Sequence, residues 1–222
     1  MRIWIGLLIA TLVMVAGPAY GSMIVISGVT FLPSAPSSVV FGQLASDTTM
    51  YAFAEQQGVI LPSQVYTGID QPGTYICCNG FAGGYLPEGA DVNSYLVHEE
   101  PVTDSPDSYY RVFEGSITFS PGEYVVGIIA GYRNLLNTDA LFGSPTTVYP
   151  SGDNYAALEN FDTITLSADL RTVTFMLYTS DDHMDNFRIL TETPEPVDFL
   201  LIGSGLMALG LLRRRFTRPA RT

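Results

Sequence analysis

The chain has 222 residues, enough for one sizeable domain whose core needs no disulfide framework once two apolar ends are set aside. Its ten basic residues are all arginine, and between Ser22 and Thr193 only Arg111, Arg133, Arg171 and Arg188 stand against 20 acids, a formal charge of −16. Such a surface repels phosphate backbones and excludes nucleic acid as a partner; it suits solubility, calcium or neutral sugars.

At the start, Met1-Arg2 is followed by an apolar stretch from Ile3 to Ala16 and then by Gly17-Pro18-Ala19-Tyr20-Gly21-Ser22. A positive start, a short apolar core and small residues at −3 and −1 define a secretory signal. The expected cut lies between Gly21 and Ser22, with a cut after Ala19 as the alternative, so residues 1–21 are read as a signal peptide. A retained membrane helix fits less well, because the core is short and Gly17-Pro18 ends it.

Residues 22–193 read as one ectodomain built mainly of strands. Met50–Glu55, Val92–His98, Tyr110–Phe119, Tyr124–Ala130, Asp162–Ser167, Thr172–Tyr178 and Asn186–Thr191 are the expected strands. Ala168-Asp169-Leu170-Arg171 is short enough to close a hairpin. Gly, Pro, Asp and Ser cluster between strands at intervals of roughly ten residues, which predicts an antiparallel β-sandwich or jelly roll. One short helix is expected over Asn134–Phe142, with Gly143 as its C-terminal cap and Pro145 beyond.

Three groups within this domain carry potential chemistry. Cys77 and Cys78 are adjacent and are the only cysteines. Neighbours in a strand point to opposite faces, so an ordinary bridge between them is excluded. A vicinal disulfide, two thiols and an intermolecular bridge are the three states left open. His98-Glu99-Glu100 and Asp181-Asp182-His183 are the sites where histidine meets carboxylates, and both read as solvated polar loops. Asp181, Asp182 and Asp185 form a candidate calcium loop just before the last strand, because hard oxygen ligands suit Ca²⁺, although the EF-hand spacing is absent. No nucleophile elbow and no phosphate-binding glycine loop occur, so no catalytic residue is assigned and the chain is read as non-enzymatic.

The chain closes with Thr193-Pro194-Glu195-Pro196-Val197-Asp198, an apolar Gly-rich segment from Phe199 to Leu212, and Arg213-Arg214-Arg215. The prolines can continue neither a helix nor a sheet ladder, so Pro194-Glu195-Pro196 is expected to be extended and accessible. Residues 197–212 are expected to form a transmembrane helix, and the arginines of the basic tail 213–222 to hold its far end in the cytoplasm. Fourteen apolar residues reach only about 21 Å, against about 30 Å of hydrocarbon, which suits an anchor that is processed rather than kept.

This tail, residues 194–222, resembles the PEP-CTERM sorting signal of Gram-negative, exopolysaccharide-producing bacteria, also described as an ice-binding-protein C-terminal domain, a label that implies no ice binding. The match is in the triplet, the Gly/Leu-rich helix and Arg213–Arg215, in that order. Two departures are Val197-Asp198 directly after the triplet and the seven residues past Arg215. The resemblance implies passage through the secretion translocon and signal peptidase, a membrane-anchored precursor, and processing by an exosortase. Tyr51–Gln57, Asn93–Leu96, Leu166–Leu170 and Asp185–Thr191 are similar to uncharacterised ectodomains of such proteins and supply no activity.

The expected function is therefore that of an exported, non-catalytic protein of the cell surface or extracellular matrix. Two alternatives stand beside it: a carbohydrate-binding module for exopolysaccharide, Ca²⁺-dependent or not, and a secreted hydrolase with paired carboxylates.

Overall fold

The computed structural model describes residues 23–77, 81, 83–102, 111–151, 157–159, 161–179 and 183–192. The expected signal peptide and the tail from the Pro-Glu-Pro triplet onward lie outside them. Along the described residues run β1 (Met23–Ser27), β2 (Val29–Phe31), β3 (Met50–Ala54), β4 (Val59–Ile60), β5 (Val65–Tyr66), β6 (Gly73–Ile76), β7 (Tyr85–Leu86), β8 (Asp91–Glu99), β9 (Arg111–Phe119), β10 (Tyr124–Ile129), α1 (Tyr132–Phe142), β11 (Thr163–Leu166), β12 (Thr172–Thr179) and β13 (Asp185–Glu192).

The strands make two main layers. One sheet has the order β1-β9-β12-β11-β6 and the other β10-β13-β8-β3-β2, with β4 added to β8 and a separate β5-β7 pair. Pairing is antiparallel except between β2 and β3. The mainly β expectation with one short helix thus holds among the described residues.

β12 shows why the sequence makes these strands. Val173, Phe175 and Leu177 are buried, while Thr172, Thr174, Met176 and Tyr178 turn to the other face. β-branched and aromatic residues at period two fit a pleated surface with one dry side. The hairpin to β11 closes over the expected link, with Leu170 at φ +57° and the Ser167 hydroxyl accepting the Thr172 N–H at 2.9 Å.

The main core lies between the layers. Phe113, Ile117, Phe119, Ile164, Val173, Phe175 and Leu177 of the five-stranded sheet meet Met50, Ala52, Tyr95, Val97, Phe187 and Ile189 of the other. Phe175 and Phe187 join the layers edge to face, 5.0 Å between ring centroids, a contact worth about 1 kcal/mol beyond its buried area.

A second core covers the far side of the six-stranded sheet. Phe53, Leu96 and Leu190 face away from the main core and pack with Leu135 and Phe142 of α1 and with Val39, Leu61 and Val65. β8 and β13 are therefore buried on both faces.

Gly28 is the point where the chain changes layer, from β1 in one sheet to β2 in the other. Its φ is +70°, and a Cβ there would stand 1.9 Å from the Glu114 carbonyl oxygen, so only glycine fits. The helix begins at Tyr132, two residues earlier than its expected start, because the Asn134 and Leu135 N–H groups both bond the Gly131 carbonyl. Gly143 does cap its C-terminus, but in an extended conformation (φ −61°) rather than a left-handed one. Close packing selects glycine here: an added Cβ would lie 2.5 Å from the Asp139 carbonyl and 2.8 Å from the Tyr149 ring.

Candidate functional sites: a buried carboxyl cluster and a hydroxyl-lined trough

Period-two alternation places three carboxylates at one end of the main core. Glu99 shares a strand face with Tyr95 and Val97, and Asp185 shares one with Phe187 and Ile189. Glu99 ends β8, Asp185 begins β13, and the two are paired in register. Asp162 stands two residues before Ile164, in phase with the buried side of β11. All three are buried, as is Thr179 at the end of β12. The apolar interior thus ends in a polar layer contributed by both sheets.

Partners are unevenly shared within this layer. Asp162 accepts the Tyr178 N–H at 2.7 Å and the Glu159 N–H through its other oxygen. Glu159 in turn meets His183 Nδ1 at 2.9 Å. Neither oxygen of Asp185 has a hydrogen-bond donor, and the carboxylate oxygens of Glu99 also lack one at normal geometry, although the Thr179 hydroxyl lies close enough to favour its charged form.

The electrostatic result is that these acids resist ionisation. Burial pushes Glu99 up to about 8, opposed by Thr179 and reinforced by the charges of Asp162 and Glu100. Burial raises Asp162 to about 6 against the two backbone donors. Asp185 is raised well above the usual carboxylate range by burial and then by the charges of Asp162, Glu99 and Glu159. Desolvation dominates all three, since a carboxylate leaving water without a counter-charge loses its solvation.

These positions correct two expectations. Asp185 is not part of a solvated loop but opens β13, about 1% exposed. His98, Glu99 and Glu100 are likewise buried: His98 Nδ1 lies 2.8 Å from Asn186 Oδ1, and its Nε2 lies 3.5 Å from Glu100. The physical reason is the second core, which leaves β8 no solvated face. Asp181, Asp182 and Cys78 lie outside the described residues, as do Gly21, Ser22, Pro194, Glu195, Pro196 and Arg213–Arg215. Cys77 follows β6, buried, with its thiol donating to the Leu158 carbonyl at 3.1 Å. Among the described residues no group of three or more His, Cys, Asp or Glu side chains is arranged to hold a metal ion.

The second feature lies on the opposite side of the five-stranded sheet. Registers bring Thr74, Thr165, Thr174, Ser116 and Ser27 into one row crossing all five strands. Thr74 and Thr165 share a hydrogen bond at 2.9 Å, and Thr118 and Thr172 share another at 3.0 Å in the next row. Four of the five hydroxyl residues, with Thr163, Met176 and Glu114, line an open trough of about 460 Å³. Phe161, 72% exposed, stands beside Tyr178 with its ring edge-on at 6.3 Å. Tyr85 and Tyr124, the exposed tyrosines among the described residues, do not line this trough.

Arg188 was not anticipated as special. It is fully buried and grips both Glu55 oxygens at 2.6 and 2.8 Å, Asp139 at 2.9 Å and the Thr138 hydroxyl at 2.7 Å. Phe142 and Tyr149 flank its guanidinium at 5.7 and 6.0 Å. This network fastens α1 to the six-stranded sheet. A signal for it exists in the sequence: Arg188 stands between Phe187 and Ile189-Leu190 within an expected strand.

No protein-family model matches the chain, and no curated protein or solved structure is significantly similar to it. No described helix is long and apolar enough to cross a membrane.

Proposed function

We propose that the chain is an exported, envelope-sorted, non-catalytic protein of the cell surface or extracellular matrix, delivered through a PEP-CTERM and exosortase route. The carrying observation is the position of β13. It lies between β8 and β10 in the six-stranded sheet and ends at Glu192, two residues before Pro194. A cut at the triplet therefore falls just outside a strand paired on both edges, and the domain it releases keeps both layers. Read as a β-sandwich, the two layers make a self-contained cargo with a removable tail.

Replacing Pro194-Glu195-Pro196 with Ala-Ala-Ala tests this. The expected outcome is a full-length precursor retained in the membrane fraction, seen as a larger band by immunoblot. Processing at the wild-type rate in that variant contradicts the sorting assignment.

A second reading, binding of a neutral polysaccharide, is favoured by the hydroxyl row and its trough. Aligned hydroxyls, a carboxylate at Glu114 and a nearby exposed ring match the polar edges and apolar faces of a sugar. Affinity electrophoresis in the producing cell's exopolysaccharide checks it: retardation of the wild type that is lost in a Thr165→Val/Thr174→Val double variant supports binding, and equal mobility with and without polysaccharide removes it.

A further inference from the structure

We propose that Glu99 and Asp185 form a two-carboxylate Ca²⁺ site that joins β8 and β13 at one end of the core. The inference is independent of how the tail is processed.

The argument starts from what the cluster lacks. Glu99 and Asp185 face each other across adjacent strands and point into the interior. Both are buried, and the two Asp185 oxygens have no donor. The flanking acids, Asp162, Glu159 and Glu100, add negative charge to the same region. The described histidines do not neutralise it: His183 sits on Glu159, and His98 is held by Asn186 and Glu100 on the other face of β8. Arg188, the buried arginine of β13, is committed to Glu55 and Asp139 behind the same sheet. Buried carboxylates without a cation are costly, and a divalent ion is the compact charge that offsets several at once.

The chemistry selects the ion. Hard carboxylate oxygens, with no thiolate, favour Ca²⁺ or Mg²⁺ over softer metals. Ca²⁺ tolerates an irregular, flexible coordination that can be built on two carboxylates, whereas Mg²⁺ demands an octahedron and gives up water reluctantly. Because Asp162 is already held by backbone donors, Glu99 and Asp185 are the side chains free to turn onto the ion. Their displaced protons leave with solvent, so affinity rises with pH.

The test is thermal unfolding and titration calorimetry of the purified full-length chain in detergent at pH 8.0. Millimolar Ca²⁺ is expected to raise Tm by about 5 °C or more over the chelator-treated protein, with a smaller response to Mg²⁺. Calorimetry should show protons released into the buffer on binding. Asp185→Asn is expected to melt above the wild type in chelator, since a repulsive charge is gone, and to lose the Ca²⁺ response. Should that variant not fold, Glu99→Gln carries the same readout. Asp169→Asn, a change in the exposed β11–β12 turn, should keep the full response. An unchanged Tm with no heat of binding at 10 mM (about ten- to a hundredfold above a weak site's constant) overturns the proposal. So does a Ca²⁺ response that survives in both Asp185→Asn and Glu99→Gln.

Discussion

The two sheets solve different problems with the same period-two pattern. The five-stranded sheet has one dry face and one wet one, so β12 alternates between core residues and threonines. The centre of the six-stranded sheet is dry on both faces, so the second set of alternating positions in β8 and β13 is also buried. In the first sheet a polar residue costs nothing because water reaches it. In the second, each polar residue needs a partner, and the Arg188–Glu55–Asp139 network and the His98–Asn186 contact supply them. In the carboxyl cluster such partners run out for both oxygens of Glu99 and of Asp185.

The largest expected effect comes from breaking the doubly buried sheet. Arg188→Ala leaves Glu55 and Asp139 facing each other without a cation and should cost about 3–5 kcal/mol of unfolding free energy by denaturant titration. A loss below about 1 kcal/mol would mean that the network is solvated and the second core is not dry.

The next effect is pH-dependent. Glu99, Asp162 and Asp185 have folded-state values raised above those of the unfolded chain. The folded protein therefore holds more protons than the unfolded one between these values, and stability falls as pH rises. In chelator, Tm should decline from about pH 4 to about pH 8 through this cluster. Asp185→Asn should flatten the decline, and a Tm that rises across that window in chelator would contradict the assignment.

The smallest effect belongs to the wet face. Thr174→Val exchanges one β-branched residue for another at an exposed position and should change stability by no more than about 0.5 kcal/mol. A loss comparable to that of Arg188→Ala would show that something covers this sheet and would erase the contrast between the layers.

Much of the fold was legible. The expected strands at Thr172–Tyr178, Asp162–Ser167 and Tyr124–Ala130 match β12, β11 and β10 to within a residue or two, because alternation is a local signal. β1, β2 and β4 to β7 were not legible: β2, β4, β5 and β7 have only two or three residues, and β1 and β6 do not alternate polar with apolar. The carboxyl cluster was half legible. Asp185 was singled out with Asp181 and Asp182 as one acidic loop, whereas the structure joins it to Glu99 and Asp162 from distant segments.

The sequence by itself determined the residue periods, the acidic charge of the middle, the signal-like start and the triplet, apolar segment and arginines of the tail. Each of these depends on neighbours along the chain. Tertiary structure alone decided which strands pair, that β8 and β13 are covered on both sides, and that Glu99 and Asp185 meet in the interior. Those outcomes depend on contacts between segments far apart in sequence. A carboxylate's solvation, and with it its affinity for protons or calcium, is set by what the rest of the fold places around it.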